Sequence, residues 1–346
     1  MNGTALLLLN LGSPDSVNEN DVRKYLREFL MDERVIDAPY VIRKIIVEGF
    51  ILPSRPKRSA EAYEKVWTKA GSPLIAISNR FQHALEEEVD LPMTFAMRYA
   101  NPTPANALKA LEAKCPNMKR ILIAPLYPHY AMSSYETALL HVQRTIQKLR
   151  SDLDVKVLKP FYEEPAYIQN LAESIKPHLP DIDHLLFSYH GLPVRHLKKS
   201  DPTGEHCYRC ANCCDTPSVA WNTCYKHQVT RTSTLTAKAL NLSRNQYSVS
   251  FQSRLGRDEW IKPFTVERLE NLPKEGVKRL GIVCPAFVAD CLETLEEIAM
   301  AGKEIFLEAG GESLTVIPCL NDSAPWVKTF AQYVNKHENG YAALWN

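Results

Sequence analysis

The chain has 346 residues, 45% of them hydrophobic and 23% charged, an ordinary composition for a globular protein long enough for two domains. Its 41 basic and 40 acidic residues leave a formal charge of +1, which excludes a global field for nucleic acid or an anionic membrane, so an anionic ligand must be met by a local cluster. The apolar run at 5–9 is too short to cross a membrane and follows no basic stretch; it reads as a first strand rather than a leader, and a cytoplasmic protein is expected.

In chain order, short apolar runs at 5–9, 93–97, 120–124, 184–188, 247–251, 280–283 and 314–317 read as strands. Between them, 19–30, 78–89, 103–111, 134–149, 164–178, 291–307 and 324–334 read as helices. Such alternation predicts an α/β protein with mainly parallel sheets, divided into lobes 1–150 and 151–346. A strand followed by Gly-x-Pro occurs at both 7–14 and 186–193, as two similar lobes would produce. The first of these, Asn10-Leu11-Gly12-Ser13-Pro14, lacks the dinucleotide glycine spacing, which argues against a nicotinamide or flavin enzyme. Polar, aromatic and turn-forming residues follow the strands: Arg98-Tyr99, Tyr127 to Tyr130, His190 to Pro193, and Gln252-Ser253-Arg254. Parallel sheets bind ligands at that edge, so a wide aromatic-lined cleft is expected.

Three features carry chemistry. Leu185-Leu186-Phe187-Ser188 reads as a buried strand stopping at Ser188, with His190 in the loop beyond, where an imidazole can move protons near neutral pH. Asp290, Glu293 and Glu297 fall at i, i+3 and i+7 of a helix starting near Asp290, a carboxylate line suited to cation or proton transfer; acids offsetting a helix dipole are the competing account. Finally, Cys207, Cys210, Cys213, Cys214 and Cys224 lie within 18 positions. Two-residue gaps in loop composition point to a metal site using four of the five, either zinc or a [2Fe-2S] cluster. The segment 29–58 mixes apolar residues with Arg43, Lys44, Arg55, Lys57 and Arg58. It reads either as a lip resting on a membrane surface or as a buried helix hairpin.

These pieces together resemble the ferrochelatase family. The motifs are Leu9-Asn10-Leu11-Gly12-Ser13-Pro14, Phe29-Leu30 with Arg34-Val35-Ile36, Gly71-Ser72-Pro73-Leu74, Met97-Arg98-Tyr99 and Pro125-Leu126-Tyr127-Pro128. They continue with Ser188-Tyr189-His190-Gly191-Leu192-Pro193, Phe251-Gln252-Ser253-Arg254-Leu255-Gly256, Pro285 through Glu297, and Pro318-Cys319-Leu320-Asn321-Asp322. The resemblance implies two Rossmann-like lobes facing a porphyrin cleft, and insertion of ferrous iron into protoporphyrin IX. His190 and Glu293 match the family's catalytic pair, with His190, Glu293, Glu297 and Asp290 along the path of Fe2+. Arg98, Tyr99, Tyr130, Ser72 and Leu11 look like porphyrin contacts. Leu11 replaces a tyrosine typical of the coproporphyrin III branch. The cysteine segment, about 203–224, looks like an insertion; the resemblance favours [2Fe-2S] over zinc without transferring a ligand set, because cluster-bearing members usually place ligands in a C-terminal extension that this sequence does not show. Cys291 stands where other members carry a histidine. A porphyrin or haem carrier without turnover, and a metal or redox sensor, are the alternatives. The expected partners are porphyrin and Fe2+, with peripheral membrane contact and no nucleic acid, in a monomer or homodimer.

Overall fold

Leu6, Leu7, Leu8 and Leu9 are all completely buried, the mark of a central parallel strand covered on both faces. In the computed structural model, which describes residues 3–254, 256, 258–336 and 341–343, that strand is β1 (Thr4–Ser13). Leu255 of the sequence motif and Arg257 lie outside the described residues. Two α/β units result. Unit 1 comprises Met1–Leu126, Met132–Lys159 and Asn321–Asn346, and unit 2 comprises Tyr127–Ala131 and Pro160–Leu320.

Unit 1 holds β1, β2 (Met93–Ala100), β3 (Arg120–Pro125), β4 (Asp154–Leu158) and β9 (Tyr341–Ala343) in the order β2-β1-β3-β4-β9. All pair in parallel except β4 with β9. Unit 2 holds β5 (His184–His190), β6 (Tyr247–Gln252), β7 (Arg279–Val283) and β8 (Ser313–Ile317), all parallel, in the order β6-β5-β7-β8.

The helices relevant to the site are α1 (Glu19–Leu30), α2 (Tyr40–Lys44), α3 (Arg55–Val66) and α4 (Pro73–Glu86). Next come α5 (Pro104–Lys114), α6 (Thr137–Leu149), α7 (Pro165–Ile175), α8 (Val194–Ser200) and α9 (Tyr225–Ala239). The last are α10 (Thr265–Asn271), α11 (Lys303–Glu308) and α12 (Ala324–Asn335). Wider π-type turns occupy Ile45–Ile51, Met132–Glu136 and Glu293–Gly302.

Several expectations are corrected. β5 does not stop at Ser188: Tyr189 and His190 pair with Phe251 and Gln252, so the histidine is the last residue of the strand. The carboxylate helix does not start near Asp290; that residue precedes the π-type segment, in which Glu293 is first. The expected lobe boundary at 150 misses a return of the chain to unit 1, where Arg80 pairs with Asp322 and Phe81 of α4 stacks on Trp326 of α12. Strand β4 was not anticipated; its five residues include Lys156 and make a weak apolar signal.

Candidate active site

Side-chain alternation along β5 decides what each residue meets. Leu185, Phe187 and Tyr189 enter one apolar cluster, which also holds Cys207, Cys224, Tyr225 and Val229. Leu186 enters a second cluster, with Leu269, Ile298 and Phe306. Ser188, on the Leu186 side, donates to Gln252 Oε1 at 2.8 Å and contacts Thr265 of α10 at 2.9 Å. His190 therefore belongs to the face on which the Glu293–Gly302 segment packs.

At this end of the sheet the next residue must be glycine. A Cβ on Gly191 would lie 2.9 Å from the carbonyl oxygens of both Gln252 and Ser253. Its own carbonyl contacts His190 Nδ1 at 2.7 Å. A carbonyl only accepts, so Nδ1 carries the proton and Nε2 is left with its basic lone pair. A backbone group thus holds the tautomer.

Glu297 feels both partners: the His190 charge lowers its pKa and the Glu293 charge raises it. Burial is the largest influence, and the net effect is a raised pKa despite the hydroxyl of Ser253, which lies 2.9 and 2.8 Å from the two carboxylate oxygens. Ser253 closes β6 with φ +61°, a conformation uncommon for a side-chain-bearing residue. Asp290 is buried and accepts from the hydroxyl of Thr294 at 2.8 Å. The thiols of Cys291 and Cys319 hydrogen-bond to Glu293 and Asp290 and are pushed up chiefly by burial. His190, Glu293, Glu297 and Asp290 all lie in unit 2, Glu297 close enough to His190 and Glu293 to feel both charges. Ser253, noted in sequence only as a strand-end and motif residue, is the member to which that reading gave no role, since a serine after a strand has no distinguishing spacing.

In unit 1, Arg98 and Tyr99 lie near the end of β2, whose register pairs Met97 with Asn10 and Tyr99 with Gly12 on either side of Leu11 in β1. Arg98 pairs with buried Asp32, which also accepts from the Thr137 hydroxyl, from Tyr99 Oη at 2.9 Å and from the Arg34 N–H at 2.8 Å. Burial works against the Asp32 charge, but these donors hold its carboxyl below the usual range. Tyr99 is completely buried, so its hydroxyl serves Asp32. Gly12 packs against it: a Cβ there would stand 2.0 Å from the Tyr99 carbonyl oxygen. Ser72 is buried at the N-cap of α4. Tyr130 belongs to unit 2, half-buried, with its N–H donating to Gln228 Oε1 at 2.7 Å. Asp32 and Gln228 were not anticipated, because their partners lie 66 and 98 residues away.

Four of the five clustered thiols come together. Cys207, Cys213 and Cys224 are buried and Cys214 is half-buried, whereas Cys210 is exposed. Cys224 hydrogen-bonds with Cys214 and Cys207, and accepts from the backbone N–H groups of His227 and Lys226 at the head of α9. Those donors outweigh burial and draw its thiol down toward the thiolate. Asp201 anchors the entry to the segment, accepting from the N–H groups of Thr203, His206 and Cys207 at 2.9, 2.8 and 2.8 Å. Among the described residues, no three His, Cys, Asp or Glu side chains are arranged to hold one metal ion.

An imidazole and a row of carboxylates at the carboxyl ends of a parallel sheet, in a chain of two α/β units, define a chelatase-type protein. The structure resembles SirB from Bacillus subtilis with Fe3+ at a TM-score of 0.57, with 12% identity, covering 98% of this chain and 96% of that one. It also resembles the cobalt complex of the sirohydrochlorin chelatase SirB from Bacillus subtilis subspecies spizizenii (TM-score 0.54, 10% identity, 98% and 95% coverage). The ferrochelatase family model matches residues 3–338. Ferrochelatases from Pseudomonas fluorescens and Stutzerimonas stutzeri are 49% and 46% identical over 335 and 339 residues, covering 96% and 97% of this chain and 97% and 98% of theirs. The chain belongs to the ferrochelatase family: it is an enzyme that inserts iron into a porphyrin in haem synthesis.

Proposed function

We propose that metallation of protoporphyrin IX is carried out at the edge of the unit 2 sheet, with His190 as the acceptor of the inner pyrrole protons. The observation that carries this reading is the His190 tautomer set by the Gly191 carbonyl, next to a carboxylate, Glu297, that responds electrostatically to both His190 and Glu293. As Fe2+ enters the macrocycle, two N–H protons must leave. The free Nε2 of His190 takes one proton, releases it to the carboxylate line and then takes the second; Glu293, Glu297 and Asp290 pass Fe2+ inward and both protons outward to solvent. Ser253 and Thr294 orient the last two carboxylates.

Arg98, Leu11, Ser72 and Tyr130 are assigned as porphyrin contacts, with Tyr99 acting through Asp32. Coproporphyrin III carries propionates where protoporphyrin IX carries vinyl groups, and the apolar Leu11 suits a vinyl. The test is His190→Ala. Iron insertion, followed by loss of porphyrin fluorescence, is expected to fall at least about 100-fold, while porphyrin binding stays within a few-fold. Retained turnover would overturn the assignment. Competing the two porphyrins tests substrate choice through kcat/KM.

The thiols of Cys207, Cys213, Cys214 and Cys224 interact with one another and are proposed as the four thiolates of a [2Fe-2S] cluster, which would have to draw them together, since no three of them are arranged around one metal ion among the described residues. When bound, such a cluster would supply a covalent staple for a segment with little regular structure. A membrane contact is also proposed, for the lip: Tyr40, Val41, Ile42, Ile45 and Phe50 are exposed, Phe50 by 75%, and Lys44, Arg55, Lys57 and Arg58 are exposed nearby in sequence. That exposure favours the lip over the buried hairpin; of the five basic residues Arg43 turns inward, to the carbonyls of Ile36 and Ala38, and Val47 and Leu52 are buried. The contact is proposed as a peripheral one and the compartment as the cytoplasm; no helix among the described residues is long and apolar enough to cross a membrane.

A further inference from the structure

Residues 127–131 make a short passage through unit 2 between two stretches of unit 1, and they form neither helix nor strand. Their position therefore depends on individual bonds. Two of these run to α9. His129 is buried and neutral, its pKa drawn down to about 3 by burial, and its Nε2 lies 2.9 Å from Thr232 Oγ1. The Thr232 hydroxyl donates to the Tyr162 carbonyl at 2.6 Å, so Nε2 is the donor. The Tyr130 N–H donates to Gln228 Oε1 at 2.7 Å.

Gln228 is completely buried one turn into α9. Its Nε2 donates to the carbonyls of Trp221 and Asn222 at 3.1 and 3.0 Å, which close the cysteine segment. The amide can sit only one way round: flipped, its oxygen would face two carbonyls and its NH2 group an N–H. A second grip on the same segment stands beside it. His227 stacks on Trp221 with ring centroids 4.2 Å apart and planes 8° from parallel, and its Nδ1 lies 2.9 Å from the carbonyl oxygen of Cys214.

We infer that Gln228 is a positioning residue that ties the cysteine segment to the backbone of Tyr130, so that order in the segment sets where Tyr130 meets the porphyrin. The inference rests on the reading of Tyr130 as a porphyrin contact. It gives the insertion a role in substrate placement through one buried amide.

Gln228→Leu removes both arms while keeping an apolar side chain of similar bulk. The expected result is a porphyrin KM raised about tenfold, equivalent to about 1.4 kcal/mol, with kcat within about twofold. An unchanged KM would overturn the role. Tyr130→Ala run in parallel separates the two readings. If porphyrin binding ignores Tyr130→Ala, the Tyr130 assignment fails and takes this inference with it. If Tyr130→Ala weakens binding while Gln228→Leu does not, the coupling alone fails. Native-state hydrogen exchange on the wild-type chain gives a readout that survives a misfolding variant. With rising urea, the Tyr130 amide and the amides of 213–224 are expected to open in one common step. Separate openings would overturn the tie.

Discussion

His190 shows how narrowly a single residue's role is set by its neighbours. Its reactive nitrogen is chosen by the carbonyl of Gly191, and Gly191 is required because two backbone oxygens leave no room for a Cβ. Gly191→Ala is accordingly expected to cost about 1–3 kcal/mol of stability, as overpacking does, and to lower turnover by displacing the imidazole. Thermal melting and initial rates would check it; an unshifted melting temperature would contradict the crowding argument. Glu297 has its pKa raised, first by burial, so its charged form grows in as pH rises through that value. In wild type, iron insertion should rise over the same window, and Glu297→Gln should flatten that limb of the pH–rate profile and reduce the maximal rate. Asp32 has the opposite sign. Burial opposes its charge, but Thr137, Arg34, Arg98 and Tyr99 hold its folded pKa below the ordinary value. Its contribution to stability is therefore complete above the unfolded pKa, near 4, and is lost as pH falls through the folded one. Denaturant melts of Asp32→Asn from pH 2 to 7 should show a shallower acid limb than wild type; parallel curves would argue against it.

Among the elements, the cysteine segment depends most on local bonding. It enters through Asp201, closes against α9, and packs Cys207 and Cys224 into the cluster beneath Tyr189. Cys224→Ser is expected to abolish metal content and visible absorbance and to lower the melting temperature, whereas Cys210→Ser, altering the exposed thiol, should retain all three properties. Equal losses in both variants would reject the proposed ligand set. The π-type segment Glu293–Gly302 is a second element with a functional geometry. Such wide turns recur at functional sites, and this one brings Glu297 within reach of Ser253 at the end of β6.

For the whole molecule, two consequences follow from how the chain is distributed. The C-terminal α12 belongs to unit 1, where Trp326 is completely buried against Phe81 and Phe330. Trp326→Ala should destabilise the protein by about 3–5 kcal/mol, measurable as a lowered urea midpoint. The exposed apolar lip predicts co-sedimentation with vesicles containing anionic phospholipid, weakened by Phe50→Glu and by salt. Recovery of the wild-type chain entirely in the supernatant would leave the lip without a membrane role.

Much of this was legible in the amino-acid sequence. The alternation of apolar runs and helices marked two α/β units, and the order of short motifs marked the family, because central parallel strands need continuous apolar runs and the residues at their ends are read locally. His190 stood out for that reason, whereas Glu293 took its role only from the family resemblance. What only the tertiary structure decided were relations across long separations: Asp32 under Arg98 and Tyr99, Ser253 on Glu297, Gln228 between Tyr130 and Trp221, and α12 on α4. Each joins residues that sequence spacing leaves unrelated, through hydrogen bonds or ring contacts that exist only once the sheets have formed and buried their polar groups beside one another.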